Sequence, residues 1–238
     1  MTPSVRRSIP EELLLLCADP VRGRLRIPAG SFHRVIAGGV VAELVLTGAV
    51  TVEDRRITGF QPLGGHDEVA AGVLARLEAA GKSRHRLGLE HVVRRIPRKP
   101  GAAPFLDRLT AAGLLTVEQR RFLGLPYRLH VATPPGIGQE IAARVAATLA
   151  REGGAAVGGA AADPSPVSRA ALPPAERAAA ERDRQLAGLI GAARLQRRLY
   201  PGAAGAPTRQ AVRRLVRELP VARAVQRVIA SDSAGDGG

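Results

Sequence analysis

Apolar residues recur mainly at three- and four-residue intervals along this chain, the spacing that places side chains on one face of an α-helix. A capping box from Ser8 to Glu11 predicts the start of a first helix, which carries the leucines at 13–16 and ends near Asp19. Further helices are predicted over residues 32–46, 69–80, 87–96, 105–112, 137–149, 176–199 and 208–229. The pattern therefore predicts a mainly α protein, a single-domain helical bundle with surrounding amphipathic helices over residues 8–229.

Strand-like alternation is confined to short stretches beside turn residues. In segment 44–56 a glycine stop at Gly48 precedes an alternating run and a basic turn, and segment 109–121 repeats this order around Gly113. These two copies predict one or two small β-hairpins. Gly38 and Gly39 interrupt an otherwise apolar helical segment, which indicates that another helix packs closely there.

Two segments show no regular spacing of apolar residues. Residues 153–174 are rich in Gly, Ala and Pro and are predicted to form a flexible linker, and residues 231–238 are predicted to be a disordered tail. No stretch shows the roughly eighteen consecutive apolar residues of a membrane-spanning helix. The chain is therefore expected to be soluble, or to lie on a membrane without crossing it.

The net charge of +14 comes almost entirely from arginine, since Lys82 and Lys99 are the only lysines. Base composition of the genome explains the choice of Arg over Lys, but it does not explain the shortage of acidic residues. A partner rich in phosphate, either an anionic membrane or a nucleic acid, explains the imbalance better.

Candidate catalytic chemistry is weak. A lone cysteine, Cys17, excludes an internal disulfide and a multi-cysteine metal site, and the five histidines show no metal-binding spacing. Gly136-Ile-Gly138 lacks the remainder of a dinucleotide-binding motif. We expect no enzyme activity, no cofactor and no metal.

The strongest candidate binding site is a basic cluster beside Pro97 and Pro100. It consists of Arg94, Arg95, Arg98 and Lys99. A phosphate headgroup needs two or three convergent donors, and guanidinium forks suit that geometry. The alternative is a solvated basic loop.

A second candidate follows Gly113. Its apolar positions are Phe122, Leu123, Leu125 and Tyr127, and its flanking basic positions are Arg120, Arg121 and Arg128. An apolar tip with cationic flanks is typical of a hairpin that enters the membrane interface. Packing under a helix, or a homo-oligomer contact through the hairpin, are the alternatives.

Four segments, in the same order, resemble the Golgi phosphoprotein 3 family. They are Pro10-Glu-Glu-Leu-Leu-Leu-Leu16 with Asp19, the stretch from Gly38 to Val50, the helix from Phe105 to Leu115, and Leu199-Tyr-Pro-Gly202, which recurs in bacterial relatives. The resemblance implies a helical bundle with an exposed hydrophobic β-hairpin and no catalysis. It also implies binding to phosphatidylinositol 4-phosphate and to the cytoplasmic tails of membrane proteins.

The resemblance also implies a headgroup pocket, from which this sequence departs. Ala37 and Ala102 stand where the family carries basic residues, while Lys99 keeps one charge. The family's tryptophan has Phe32 or His33 as its nearest candidate here, and Arg34 is a candidate for replacing a lost charge.

We therefore expect a cytoplasmic protein, peripheral on the inner face of the membrane, whose main partner is anionic phospholipid. One alternative is a winged-helix DNA-binding regulator, because the helix at 105–112 precedes a wing-like hairpin. That helix offers only Asp107, Arg108 and Thr110 to base edges, so nucleic acid is the less favoured partner. Another alternative is a purely protein-binding adaptor.

Overall fold

The computed structural model describes residues 7–19, 25–64, 67–82, 87–97, 101–122, 125–154 and 172–235. In these ranges the elements, in chain order, are α1 (Ile9–Cys17), α2 (Ala29–Leu46), β1 (Val50–Glu53), β2 (Arg56–Phe60), α3 (Glu68–Lys82), β3 (Leu87–Gly88), α4 (Leu89–Arg95), α5 (Ala103–Ala111), β4 (Leu115–Phe122), β5 (Leu125–Ala132), α6 (Ile137–Gly154), α7 (Pro174–Ala192), α8 (Gln196–Leu199), α9 (Ala206–Glu218) and α10 (Pro220–Gly235). The predicted mainly α class is confirmed.

Helix α1 begins where its sequence predicts. The Glu11 carboxylate accepts a hydrogen bond from the backbone N–H of Ser8 at 2.7 Å, which satisfies a donor at the helix start. All four leucines of 13–16 are buried, so this helix is covered on most sides. It packs against α2, α5, α6 and α7.

Helices α2 and α7 lie at the centre of the bundle, and glycines let other helices approach them. A Cβ added to Gly38 of α2 would lie 2.3 Å from Cγ2 of Val225 on α10. A Cβ on Gly191 of α7 would lie 2.4 Å from Cγ2 of Val216 on α9. The predicted close packing at Gly38 is therefore confirmed.

Helix α2 is long and apolar enough to span a membrane by length and composition, with a mean hydropathy of 1.3 over 18 residues. Of that stretch, 61% is buried inside the fold. The apolar composition of α2 is thus explained by its place in the core of the bundle.

Two predicted long helices are each divided in the structure. The segment predicted as 176–199 separates into α7 and α8, and Arg194 between them has a positive φ of 58°. The segment predicted as 208–229 ends its first helix at Glu218 because Pro220 has no N–H to continue the hydrogen-bond ladder.

The tail prediction needs correction, because α10 continues to Gly235. Hydroxyls of Ser231 and Ser233 donate to carbonyls of the preceding turn, and Asp232 pairs with Arg34 of α2 at 2.8 Å. These contacts hold polar residues in a helix that their composition alone does not favour. Residues 236–238 and most of the predicted linker, 155–171, lie outside the described residues.

The chain forms two small antiparallel sheets in its described ranges, β1-β2-β3 and β4-β5. Asp54 and Arg55 both have positive φ, as a two-residue hairpin turn between β1 and β2 requires. The second copy of the repeat departs from its predicted basic turn. Arg120 and Arg121 instead lie within β4, whose pairing with β5 runs without a shift from Leu115 to Phe122.

A polar network crosses the core between α1, α6 and α7. Arg144 donates to both oxygens of Glu12 at 3.0 and 2.8 Å and to Asp183 at 3.0 Å, and Thr148 donates to Asp183 at 2.8 Å. Burial alone would lower the pKa of Arg144, but its hydrogen bonds and charge pairing with the two carboxylates raise that pKa above its usual value. This network fixes α6 to α1 and α7.

Candidate functional site

A cavity of about 190 Å³ lies where α2, α3 and the segment joining α4 to α5 meet. We call it the interhelical cavity. Its lining residues are His33, Ile36, Ala37, Val40, Glu68, Val69, Gly72, Val73, Arg76, Ile96, Pro97, Gly101, Pro104 and Phe105. The wall is mainly apolar, and its charged groups in the described part of the chain are one carboxylate and one guanidinium.

Helical spacing explains this wall. His33, Ala37 and Val40 are spaced four and three apart on α2, which puts them on one face. Val69 and Val73 are four residues apart on α3, which puts them on one face of that helix. Two apolar stripes therefore face each other across the cavity.

A second depression adjoins the cavity and has a volume of about 470 Å³. It runs between α3 and the end of α4, and we call it the α3–α4 groove. Its lining residues are Val73, Arg76, Leu77, Ala79, Ala80, Arg95, Ile96 and Pro97. Four of these also line the interhelical cavity, so the two spaces form one continuous cleft.

The predicted basic cluster is only partly described. Arg94 and Arg95 are exposed on the last turn of α4, while Arg98 and Lys99 lie outside the described residues. Arg94 donates to the Ser231 hydroxyl of α10 at 2.5 Å. Arg95 lines the groove, so the structure places one predicted headgroup residue directly at the cleft.

Arg76 is not among the basic residues predicted from the sequence to bind a headgroup. It lies on α3, is exposed, and lines both the cavity and the groove. The available signal was its spacing, because Arg76 follows Val69 and Val73 by seven and three positions and so shares their face of the helix. The second basic group at the cleft thus comes from α3 and not from α2.

Arg34 is a correction to the predicted headgroup set. Its side chain is buried, its Nε lies 2.8 Å from Asp232, and its Nη1 donates to the carbonyls of Val93 and Arg94 at 3.4 and 3.2 Å. Carbonyls at a helix C-terminus lack partners within the helix, and a cation satisfies them well. Arg34 therefore joins α2, α4 and α10 and does not line the cavity.

The two aromatic candidates on α2, Phe32 and His33, lie in different environments. The Phe32 side chain is buried in the core, and its ring meets that of His33 edge-on at 5.8 Å between centroids. His33 lines the cavity, whereas Phe32 is not among its lining residues. The prediction that Phe32 contacts a headgroup therefore has no support in this geometry.

The two alanines at which the resemblance implies basic residues both lie near the cavity. Ala37 lines it, and Ala102 is buried beside Gly101, which lines the opposite wall. The structure thus brings the two predicted pocket segments together. With alanine at both positions the walls contributed by α2 and by the segment before α5 are largely apolar.

The β4–β5 hairpin packs on the bundle at its base. Leu115 and Ala132 are paired and buried, and β4 contacts α5. The backbone positions of the predicted tip residues Phe122, Leu125 and Tyr127 and of the flanking Arg120, Arg121 and Arg128 lie on the strands, while Leu123 lies outside the described residues. The register pairs Phe122 with Leu125 and Arg120 with Tyr127.

The described residues hold little chemistry outside this cleft. No group of three or more His, Cys, Asp or Glu among them is placed to hold a metal ion. Burial raises the pKa of the Cys17 thiol to about 12, so the thiol stays protonated and unreactive near neutral pH.

The architecture defines a mainly helical protein whose described part combines a packed bundle, a cleft that Arg76 and Arg95 line, and a paired hairpin attached at its base. The family model of Golgi phosphoprotein 3 (GPP34) matches residues 9–231, nearly the whole chain, and the chain belongs to this family. The resemblance stated from sequence is thereby confirmed. The family is generally known for lipid binding. In a separate comparison with curated proteins, none matches the chain.

Proposed function

We propose that this chain is a non-enzymatic peripheral membrane protein that binds anionic phospholipid headgroups at the mouth of the cleft. The observation that carries the proposal is the position of Arg76 and Arg95 at a cleft that is also lined by Ala37, a position at which the family resemblance implies a headgroup-binding residue. Membership of a family known for lipid binding supports the same conclusion. We place the protein in the cytoplasm, on the inner face of the membrane.

Some arginines form ion pairs within the fold, and others are available to bind a ligand. Paired guanidinium groups in the described ranges belong to Arg34, Arg108, Arg144, Arg182, Arg184, Arg214 and Arg227. Within those same ranges Arg76 and Arg95 have no ion-pair partner and are exposed. Each basic residue near an anionic leaflet contributes about 1 kcal/mol of attraction. These two are therefore free to contribute to membrane binding.

The headgroup preference is expected to follow charge and not inositol chemistry. Ala37 and Ala102 supply no donor to a phosphate inside the cavity, and Glu68 repels one. We propose that phosphatidylinositol 4-phosphate is bound no better than another lipid of equal charge. Arg98 and Lys99 follow Pro97 directly in the sequence and add two positive charges to this segment of the chain.

The hairpin is proposed as a second membrane contact. Its sequence places apolar residues between basic ones, and such a segment partitions into the headgroup and acyl boundary. Contact with the tails of membrane proteins, and self-association through the hairpin, are further roles that the resemblance and composition suggest.

The DNA-binding alternative is weakened by the partners of Arg108. On α5, the helix that would read bases, Arg108 lies 3.0 Å from Glu11 and 3.3 Å from Asp67. Contact with a base edge would require both ion pairs to break. The remaining polar groups of that face, Asp107 and Thr110, are a poor set for a polyanion.

Co-sedimentation with vesicles tests the proposal. Vesicles of phosphatidylcholine alone are compared with vesicles that also contain phosphatidylglycerol or phosphatidylinositol 4-phosphate at equal surface charge. We expect binding to both anionic preparations and loss of binding as salt rises, because exposed charges are screened. A gel-shift assay with duplex DNA at the same salt completes the comparison. DNA binding without vesicle binding would end the proposal.

A further inference from the structure

The α3–α4 groove has a different character from the interhelical cavity. Among the described residues no carboxylate lines this groove, whereas Glu68 lines the cavity. Two arginines line it, Arg76 from α3 and Arg95 from the end of α4. The remaining lining residues are all apolar.

We infer that this groove binds one lipid molecule with a single acyl chain along its floor and its phosphate between Arg76 and Arg95. The inference deepens the proposed function and rests on it in part, since Arg76 and Arg95 belong to both. It goes further by assigning a site for the chain as well as the headgroup. The ligand class is an anionic lipid phosphate.

The charge at the groove favours an anion. The buried arginines of the described bundle pair with carboxylates, as Arg34 and Arg184 show at 2.8 Å. Arg76 and Arg95 have no such partner within the described ranges, and no acidic residue lines the space between them. Two unpaired guanidinium groups at one opening form a site for phosphate, which accepts several hydrogen bonds from Arg.

The floor of the groove favours an apolar chain. Among its lining residues Leu77 is buried, Val73 and Ile96 are half-buried, and the alanines at 79 and 80 have small side chains that occupy little of the space. A volume of about 470 Å³ falls within the usual range of small-molecule sites. Water on such a surface is released when an alkyl chain covers it, which supplies binding free energy.

Both walls of the groove are held in place. The end of α4 is fixed by Arg34, which donates to the carbonyls of Val93 and Arg94, and by the contact of Arg94 with Ser231. On the other wall, a Cβ at Gly81 would lie 2.9 Å from the Phe60 ring, so α3 packs tightly on β2. A fixed spacing between the two walls lowers the cost of ordering a ligand.

A chain-length series tests this inference directly. The full-length protein is titrated calorimetrically with glycerol 3-phosphate and with hexyl, octyl and decyl phosphate, each below its micelle concentration. Affinity is expected to rise about fourfold for each methylene that the groove covers, and to stop rising when the chain fills it. Equal affinity for glycerol 3-phosphate and decyl phosphate would overturn the inference.

Variants locate the site. Arg76→Glu and Arg95→Glu are expected to weaken decyl phosphate binding at least tenfold, and Ala79→Trp is expected to abolish the dependence on chain length by filling the groove. The matched controls are Arg213→Glu on α9 and Ala179→Trp on α7, both at exposed positions outside the cleft. The controls should bind like the wild type. If Arg213→Glu weakens binding as much as Arg76→Glu does, the effect is one of net charge and the groove is not the site.

Vesicle sedimentation, run on the same variants, separates this inference from the proposed function. Vesicle binding with no chain-length effect overturns the groove and leaves the proposed function standing. A chain-length effect that Ala79→Trp removes, in a protein that binds no vesicles, supports the groove and overturns the proposed function.

Discussion

Replacing Arg144 by methionine is expected to destabilise the fold, because it leaves two core carboxylates without their cation. The side chains of Glu12 and Asp183 are only 4% and 7% exposed, and both lie within 3.0 Å of the guanidinium. Methionine keeps the length of the apolar stem but offers neither charge nor donors. The two carboxylates would then face each other inside the bundle.

The expected loss in the free energy of unfolding depends on which charged groups stay buried. Removing one partner of a buried ion pair costs about 3–5 kcal/mol. Two features of this site reduce the loss, since Arg144 is 44% exposed, which lets water reach the vacated position, and Thr148 still donates to Asp183 at 2.8 Å. We therefore expect a loss of about 3 kcal/mol, at the lower end of that range.

Urea unfolding followed by circular dichroism measures this loss as a shift in midpoint at an unchanged slope. Arg213→Met, at an exposed position, is the control and should change stability by less than about 0.5 kcal/mol. The triple variant with Glu12→Gln and Asp183→Asn should recover part of the loss, because neither buried charge remains. A single variant as stable as the control, or a triple variant no better than the single one, would show that the network does not stabilise the fold as described.

Three further predictions concern other parts of the bundle. Asp232→Ala should lower the free energy of unfolding by about 1.5–3 kcal/mol, because it removes the acceptor of a charged hydrogen bond from the buried Arg34; an unchanged urea midpoint would show that α10 is not anchored by this pair. Gly38→Ala should cost about 1–3 kcal/mol, since its Cβ would meet Val225 at 2.3 Å, and a neutral effect in the same assay would contradict the close packing of α2 on α10. Cys17 should resist a disulfide reagent at pH 8 in the native protein and react in urea, because with a pKa of about 12 only about one thiol in ten thousand is ionised at that pH; rapid native reaction would contradict its burial.

The helices were predictable because their apolar periodicity is a local property of the sequence. The capping box at Ser8 and the glycine stops at Gly48 and Gly113 also act within one turn, and the structure shows left-handed φ at both glycines. The interruption at Pro220 was also predictable, because proline has no backbone N–H, although residues 208–229 were predicted as one helix.

Long-range contacts were not predictable by the same means. The Arg182-Asp-Arg-Gln185 run is entirely polar, yet all four residues are buried, and the first three pair with residues of other helices. Arg34 was assigned to a headgroup because its charge stood near the expected pocket, while its partner Asp232 lies 198 positions away in the chain. Local patterns indicate that a residue is charged but not which distant group pairs with it.

The same difference between local patterns and long-range contacts applies to the residues of the candidate site. Arg95 was predicted from a cluster of basic residues that are adjacent in sequence, and the structure places it at the cleft. Arg76 shares a helix face with Val69 and Val73, but that spacing marks a site only once α3 is placed beside α4.

Partitioning of the protein onto vesicles tests the central claim most directly. Wild-type protein and Arg95→Glu are compared on vesicles containing phosphatidylglycerol, with Arg213→Glu as the control for net charge. Reversing one charge at the membrane surface removes about 2 kcal/mol, at about 1 kcal/mol per unit charge, so the partition coefficient should fall about 30-fold for Arg95→Glu and much less for Arg213→Glu. Equal partitioning of wild type and Arg95→Glu, or no binding of the wild type to anionic vesicles at low salt, would contradict the account.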